Sequence, residues 1–459
     1  MRFLLCGLAV LAACLPALAT DDTSAFAGVW QTRGYGYVMS VEGDTVTLYE
    51  RTAISCQKSA LTAGELVPAP GDSMAFSVSL PGFINATMVV KPGDDAGSLS
   101  LHRTDTVTWM KATRLEILPT ICTSETPESQ AAAIFAQTFR EHYPFEGISG
   151  LAWDSSEQDS LIAGSELFKV LSGQLMELED PHVALVAPHL DEAFFGAEQG
   201  GRNLSDDDRK AARALVKSKY LGGKARTLAG GRMLFGWLSS ELAYLRVDSF
   251  YGYGAQDGGA DDAAVLHKAL DQIVGGLSGA AALVLDMRDN DGGSDKLAIE
   301  LARRFTDRAY VAYRKQAVGE VGPDRQIIWA SQSETMVEPL PEHAAYTGEL
   351  LILTSGDTVS AAETFLMAMM GRAADTRRLG AATRGSFSDM LPRALPNGWL
   401  FALPNERYVD ASGKSYDGTG IVPDFAVAEV SPADIKLAAT GRLIPSSRSS
   451  APPNASSLS

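Results

Sequence analysis

The chain has 459 residues, 46% hydrophobic and 21% charged, enough for about three packed domains at roughly 100–200 residues each, which excludes intrinsic disorder for most of its length. Its 39 Lys and Arg stand against 56 Asp and Glu, a formal net charge of −17. That balance argues against a sequence-independent grip on nucleic acid or on an anionic membrane, and points to neutral, basic or peptidic partners.

In chain order, residues 3–19 form one apolar run behind Arg2 and close on Ala17-Leu18-Ala19, which predicts a cleaved secretory signal over residues 1–19. Leu11-Ala12-Ala13-Cys14 offers a second processing pattern, a bacterial lipoprotein box with Cys14 as the lipidated residue. Cleavage after Ala19 is preferred, because Cys14 comes early and apolar Leu15 follows it. The expected protein is exported, periplasmic or extracellular, with a lipid anchor at Cys14 as the alternative. No later apolar run reaches the roughly 18–20 residues that cross a bilayer, so no transmembrane span is expected. Beyond the signal only Cys56 and Cys122 remain. In an exported chain they read as one disulfide, since neither has a nearby His to suggest a zinc site or an activated thiol.

From residue 24 to 122, segments such as DTVTLYE, MAFSVSL and ATMVVKP alternate with period two between turn residues, predicting a small antiparallel β barrel or sandwich. Residues 124–230 carry apolar residues at helical spacing in SQAAAIFAQTFREHY, SELFKVLSGQLMELE and DDRKAARALVKSKYL, predicting a helical domain. From 236 to 430, strands (ELAYLRVDSF, ALVLDM, ELLILT) alternate with helices (AAVLHKALDQIVGGL, DKLAIELARRF, AAETFLMAMMGRAA). That order implies an α/β layer around parallel strands, in a chain that is α+β as a whole. Residues 446–459 are Ser/Pro-rich and predict a disordered tail.

Three loops place polar residues after these strands, where α/β sheets expose reactive groups. In Asp286-Met287-Arg288-Asp289-Asn290-Asp291-Gly292-Gly293 the glycines allow a backbone N–H to point into a cleft. In Thr358-Val359-Ser360-Ala361-Ala362-Glu363, a hydroxyl at a helix start would sit beside free amides able to stabilise an oxyanion, although a Ser there is ordinarily only a cap. Tyr416-Asp417-Gly418-Thr419-Gly420 is a tight turn with a candidate buried carboxylate. A serine nucleophile needs a base. Of the six His, His182, which ends a helix and opens an extended apolar stretch, is the best placed, with His189 next; His102, His142, His267 and His343 read as packing or surface residues. No Lys occurs between Lys315 and Lys414, so a base close to Ser360 in sequence is absent. No metal-ligand spacing appears, and no metal or cofactor is expected.

At these residues the chain resembles the tail-specific and tricorn-core family of serine peptidases. The matching pieces run in order: LEDPHV (178–183), ELAYLRVDSF, LVLDMRDNDGG, TVSAAETF, LGAATRGSFSDMLPRALPNGWLFALP and YDGTGIVPD. The resemblance spans roughly residues 139–425. It implies a crotonase-like α/β catalytic fold, Ser360 as nucleophile, and an oxyanion hole from the Ala361 N–H with that of Gly292 or Gly293. Where tail-specific members carry a Lys, this chain has Ser386 after Gly385. The resemblance therefore implies the tricorn-like branch, with His182 as base and Asp417 as the carboxylate orienting it, and no PDZ module. Glu363, one turn after Ser360, is a candidate supporting residue. The functional expectation is an exported serine peptidase acting on peptide or protein substrates; the alternative is an inactive peptide- or ligand-binding protein on the same scaffold.

Overall fold

A computed structural model describes residues 23–81, 83–145, 162–199, 204–254, 260–322, 326–372 and 375–439. The expected signal at 1–19, with Cys14, and the tail at 446–459 lie outside the described residues.

The period-two alternation of the first hundred residues becomes ten antiparallel strands in a single curled sheet. Thr45–Arg51 is typical: Val46, Leu48 and Glu50 are buried while the residues between them are only half-buried. The first strand, Gly28–Thr32, pairs with the last, Trp109–Leu115, so the two ends of the domain meet within the sheet. The hairpin of Ser73–Leu80 and Ile84–Pro92 sets Leu80 opposite Ile84 at its turn. A disulfide between Cys56 and Cys122 ties the strand Cys56–Lys58 to the turn Thr120–Thr123. The helix Ala131–His142 sends the fully buried rings of Phe135 and Phe139 into the same core as Trp30 and Phe76 of this sheet.

The second half builds a seven-stranded sheet ordered Arg226–Leu228, Met233–Trp237, Leu242–Val247, Ala282–Asp286, Glu349–Thr354, Thr376–Gly380, Phe425–Ala426. From Leu242–Val247 onward, neighbours are parallel. Every residue of Ala282–Asp286 is buried, as expected of a strand covered on both faces. The helices Ala260–Val274, Asp295–Ala302 and Ala361–Met370 pack on one face with Leu283, Leu285, Leu350 and Ile352. Adjacent parallel strands finish side by side, so the loops leaving Asp286 and Thr354 emerge as neighbours, carrying Gly292 and Ser360 to the same edge.

The segment expected to be helical contains Ala131–His142, Gly164–Glu177 and Asp206–Leu215, but it also contributes a β hairpin. Ala184–Ala187 pairs with Glu192–Phe195 on one side and with Leu400–Pro404 on the other, and Met390–Ala394 completes a four-stranded sheet. Four-residue strands are too short to show a period, and their partner lies some two hundred residues away in the chain. This pairing carries His182, two residues before Ala184, to the C-terminal half. A second hairpin, Tyr310–Val321 with Ile327–Val337, also escaped the sequence reading. Among the described residues no helix is long and apolar enough to cross a membrane.

Candidate active site

Ser360 immediately precedes the helix Ala361–Met370 with φ 61° and ψ −127°. A residue bearing a Cβ pays on the order of 1–3 kcal/mol to stay there, so its surroundings must hold it. The holding group is Glu363. Its Oε2 accepts from the amides of Ser360 at 3.1 Å and Ser386 at 2.9 Å, and its Oε1 from the Gly385 amide at 2.7 Å and the Thr383 hydroxyl at 2.5 Å. Burial pushes this carboxyl up to about 7 against the lowering effect of those hydrogen bonds. The Ser360 amide is further shared with the Ser386 carbonyl at 3.1 Å. The Ser360 hydroxyl donates to no other described residue.

The glycine loop meets this turn closely. Gly292 has φ +87°, and a Cβ added to it would lie 2.6 Å from Ser360 Cβ and 3.1 Å from the Ala361 nitrogen. Gly292 and Gly293 are not equivalent: the Gly292 amide donates to Asn290 Oδ1 at 2.9 Å, whereas the amides of Gly293 and Ala361 donate to no described residue. The loop itself is anchored below. Arg288 and Arg246 both bond to Asp286, where burial alone would raise the carboxyl but the two guanidinium groups and Tyr244 hold it well below the usual carboxylate range.

His182 is buried. Its amide donates to Asp180 Oδ1 at 2.8 Å, and the Tyr143 hydroxyl donates to the other Asp180 oxygen at 2.9 Å. Its Nδ1 lies 3.1 Å from the Ser386 hydroxyl. Burial holds the ring below the ordinary histidine pKa; Asp180 and Asp389 pull it upward, and Arg384 pushes it down. Ser360 and His182 line one cavity of about 590 Å³, together with Gly293, Asp291, Asp357 and Arg384. The ring hydrogen-bonds Ser386, and no described hydrogen bond joins it to Ser360.

Asp417 stands apart from the ring. Its Oδ2 accepts from the Ser415 hydroxyl at 2.6 Å, and burial pushes its carboxyl up to about 6, the charge of Asp180 adding to the rise. Its turn is docked on the same strip as Ser386, through the Gly418 amide to the Gly385 carbonyl at 2.7 Å. The structure therefore brings Ser360, Ala361, Gly292, Gly293, Glu363 and His182 together, and gives the ring a hydroxyl, not the Asp417 carboxylate, as its partner. Ser386 and Asp180 are the residues the sequence reading passed over as functional. Of the other histidines, His189 accepts from Trp399 Nε1 at 3.2 Å, and His142 is buried, its pKa driven to about 3 by burial.

Residues 241–427 match the model of peptidase family S41. A search of curated proteins finds no match. Among solved structures, a candidate peptidase from Parabacteroides merdae ATCC 43184 is similar at 20% identity and a TM-score of 0.54, over 69% of this chain and 94% of that one; the two share a fold. A lipoprotein from Streptococcus agalactiae aligns at 14% identity and a TM-score of 0.43, over 72% and 100%. The photosystem II D1 C-terminal processing protease aligns at 15% identity and a TM-score of 0.39, over 66% and 94%.

Proposed function

We propose that this chain is an exported serine peptidase of the tricorn-like branch, with Ser360 as nucleophile, His182 as base and the Ala361 and Gly293 amides as oxyanion donors. The observation that carries the reading is the turn at Ser360: a strained φ of 61° holds this residue, next to Ala361 and against the glycine loop, in the cavity that His182 lines. Strained nucleophile turns of this kind store their cost in the surrounding hydrogen bonds, here those of Glu363.

In the reaction, Ser360 Oγ attacks a peptide carbonyl while His182 Nε2 takes its proton and later returns it to the leaving amine. That role requires the Nδ1–H tautomer, donated to the Ser386 hydroxyl. The negative charge of the tetrahedral intermediate falls between the Ala361 and Gly293 amides. Gly292, its amide already given to Asn290, serves by allowing the loop to approach Ser360. Asp417 supports the imidazolium from the strip that holds Ser386, either through that hydroxyl or by closing on the ring when substrate binds. The accompanying organisation is a signal at 1–19, a β domain at 24–122, a middle segment at 124–230 carrying the base, and a crotonase-like peptidase core at 236–430.

The test is labelling of the purified mature protein with a fluorophosphonate, followed by intact-mass detection. Wild type should gain one adduct that Ser360→Ala and His182→Ala both lose, with thermal unfolding of Ser360→Ala nearly unchanged. An adduct retained by Ser360→Ala sinks the assignment, and a folded wild type that takes no label favours a binding protein on this scaffold.

A further inference from the structure

Three of the large apolar or aromatic side chains left in water gather at one place. Phe83 is 60% exposed, Tyr251 41% and Met390 41%, and all three line the cavity that holds Ser360 and His182. Exposed apolar groups clustered around a cleft mark a surface that something covers. They come from different parts of the chain: Tyr251 follows the strand Leu242–Val247, Met390 opens the strand Met390–Ala394, and Phe83 sits at the turn of the N-terminal hairpin. Leu80 and Ile84 flank Phe83 on that hairpin and line the cavity too.

The hairpin belongs to a sheet fastened to the peptidase half by buried polar contacts. The Tyr35 hydroxyl donates to Glu406, and Arg393 donates to the Tyr35 carbonyl. Asn405 Nδ2 donates to the Gly34 carbonyl at 3.2 Å, and the Ala394 amide to Glu50 Oε2 at 2.8 Å. Beside the cleft, Lys296 Nζ donates to the Thr104 carbonyl at 3.1 Å. A wall held this way is in place before substrate arrives, so little ordering cost is charged against binding.

We propose that the N-terminal sheet is the specificity arm of this cleft, and that Leu80, Phe83 and Ile84, with Met390 opposite, receive a bulky apolar side chain of the peptide next to the cleaved bond. The inference rests on the Ser360 reading and names the substrate class that site takes. The cavity has the size for one large side chain and a stretch of main chain, and its occupant is a peptide because the reacting groups lie in the same space. An aqueous cleft rimmed by Phe and Met discriminates mainly by the apolar area it can remove from water.

The experiment uses quenched peptides in which Leu, Phe, Gln, Asp or Gly is placed in turn at each position around the cleaved bond. At one position wild type should prefer Leu or Phe over Gly by about tenfold or more in kcat/KM. Phe83→Asp should erase that preference through KM, and Phe83→Leu should keep it. Phe83 is mostly in water, so neither change threatens the fold. A wild type that takes the fluorophosphonate label and cleaves peptides with no apolar preference overturns the proposal while the Ser360 reading stands, as does a Phe83→Asp variant that keeps the preference. A wild type that neither labels nor cleaves overturns both.

Discussion

A histidine serves as a base only while neutral, and burial is the largest influence keeping His182 so. Its folded pKa lies below the ordinary value, so activity should persist into mildly acidic solution and fall as pH drops through the lowered value. The charges around the ring give that limb a sign test. Asp180→Asn removes a negative charge that raises the ring pKa, and should move the acid limb of kcat/KM to lower pH. Arg384→Gln removes a positive charge that lowers it, and should move the limb upward. Limbs that stay put in both variants, or that shift the same way, would take the role of base from His182. Ser360 and His182, which line one cavity, could be proposed from the sequence because ordered motifs surround them. Ser386 and Asp180 could not, because their importance lies in contacts rather than composition: the Ser386 hydroxyl meets a ring 204 positions earlier in the chain, and Asp180 works through a backbone amide.

At the scale of elements, the site is a joint between the start of the helix Ala361–Met370, the loop ending in Gly293 and the strip 383–386. Glu363 fastens two of the three. Glu363→Ala leaves the Gly385 and Ser386 amides and the Thr383 hydroxyl without an acceptor, and the Ser360 amide with only the Ser386 carbonyl, at about 1–3 kcal/mol for each unsatisfied group. A melting temperature well below wild type and loss of fluorophosphonate labelling are expected together; a variant that melts like wild type would show that the turn at Ser360 holds itself. Gly292→Ala tests the third member. The new methyl would meet Ser360 Cβ at 2.6 Å, from a φ of +87°, so the loop must withdraw and labelling should slow, even if the fold survives. Normal labelling by a folded Gly292→Ala protein would mean that the loop's closeness to Ser360 is not needed. The alternating strands and helices of this half were legible because apolar runs bounded by turn residues recur in a strand–helix order, as in Ala282–Asp286 and Ala361–Met370, both buried nearly throughout. The extended stretch after His182 was legible too, but the pairing of Ala184–Ala187 with Leu400–Pro404 was not, since the partner lies some two hundred residues away.

Across the whole molecule, cores cut across the boundaries that composition suggests. One cluster joins Trp30 and Phe76 of the N-terminal sheet to Phe135 and Phe139, and on to Leu185, Trp399 and Phe401 beside the cleft. The rings of Phe135 and Phe401 lie 5.0 Å apart. A second cluster fills the space between the parallel sheet and its helices. Because the first core is built from both ends of the chain, the N-terminal sheet cannot melt without exposing the strands that carry His182 to Ser360. Unfolding should therefore be shared: near-UV circular dichroism and loss of fluorophosphonate labelling should follow one transition on heating. The disulfide offers a lever on that transition from far away. Cys56 and Cys122 are 66 residues apart, and opening a loop of that size costs up to about 4 kcal/mol in the chain-entropy account. Cys56→Ser with Cys122→Ser should lower both probes by the same number of degrees, though neither cysteine lines the cleft. If near-UV signal fell early while labelling kept its wild-type midpoint, the N-terminal sheet would be a separate unit, and its hairpin could not serve as a fixed wall of the cleft.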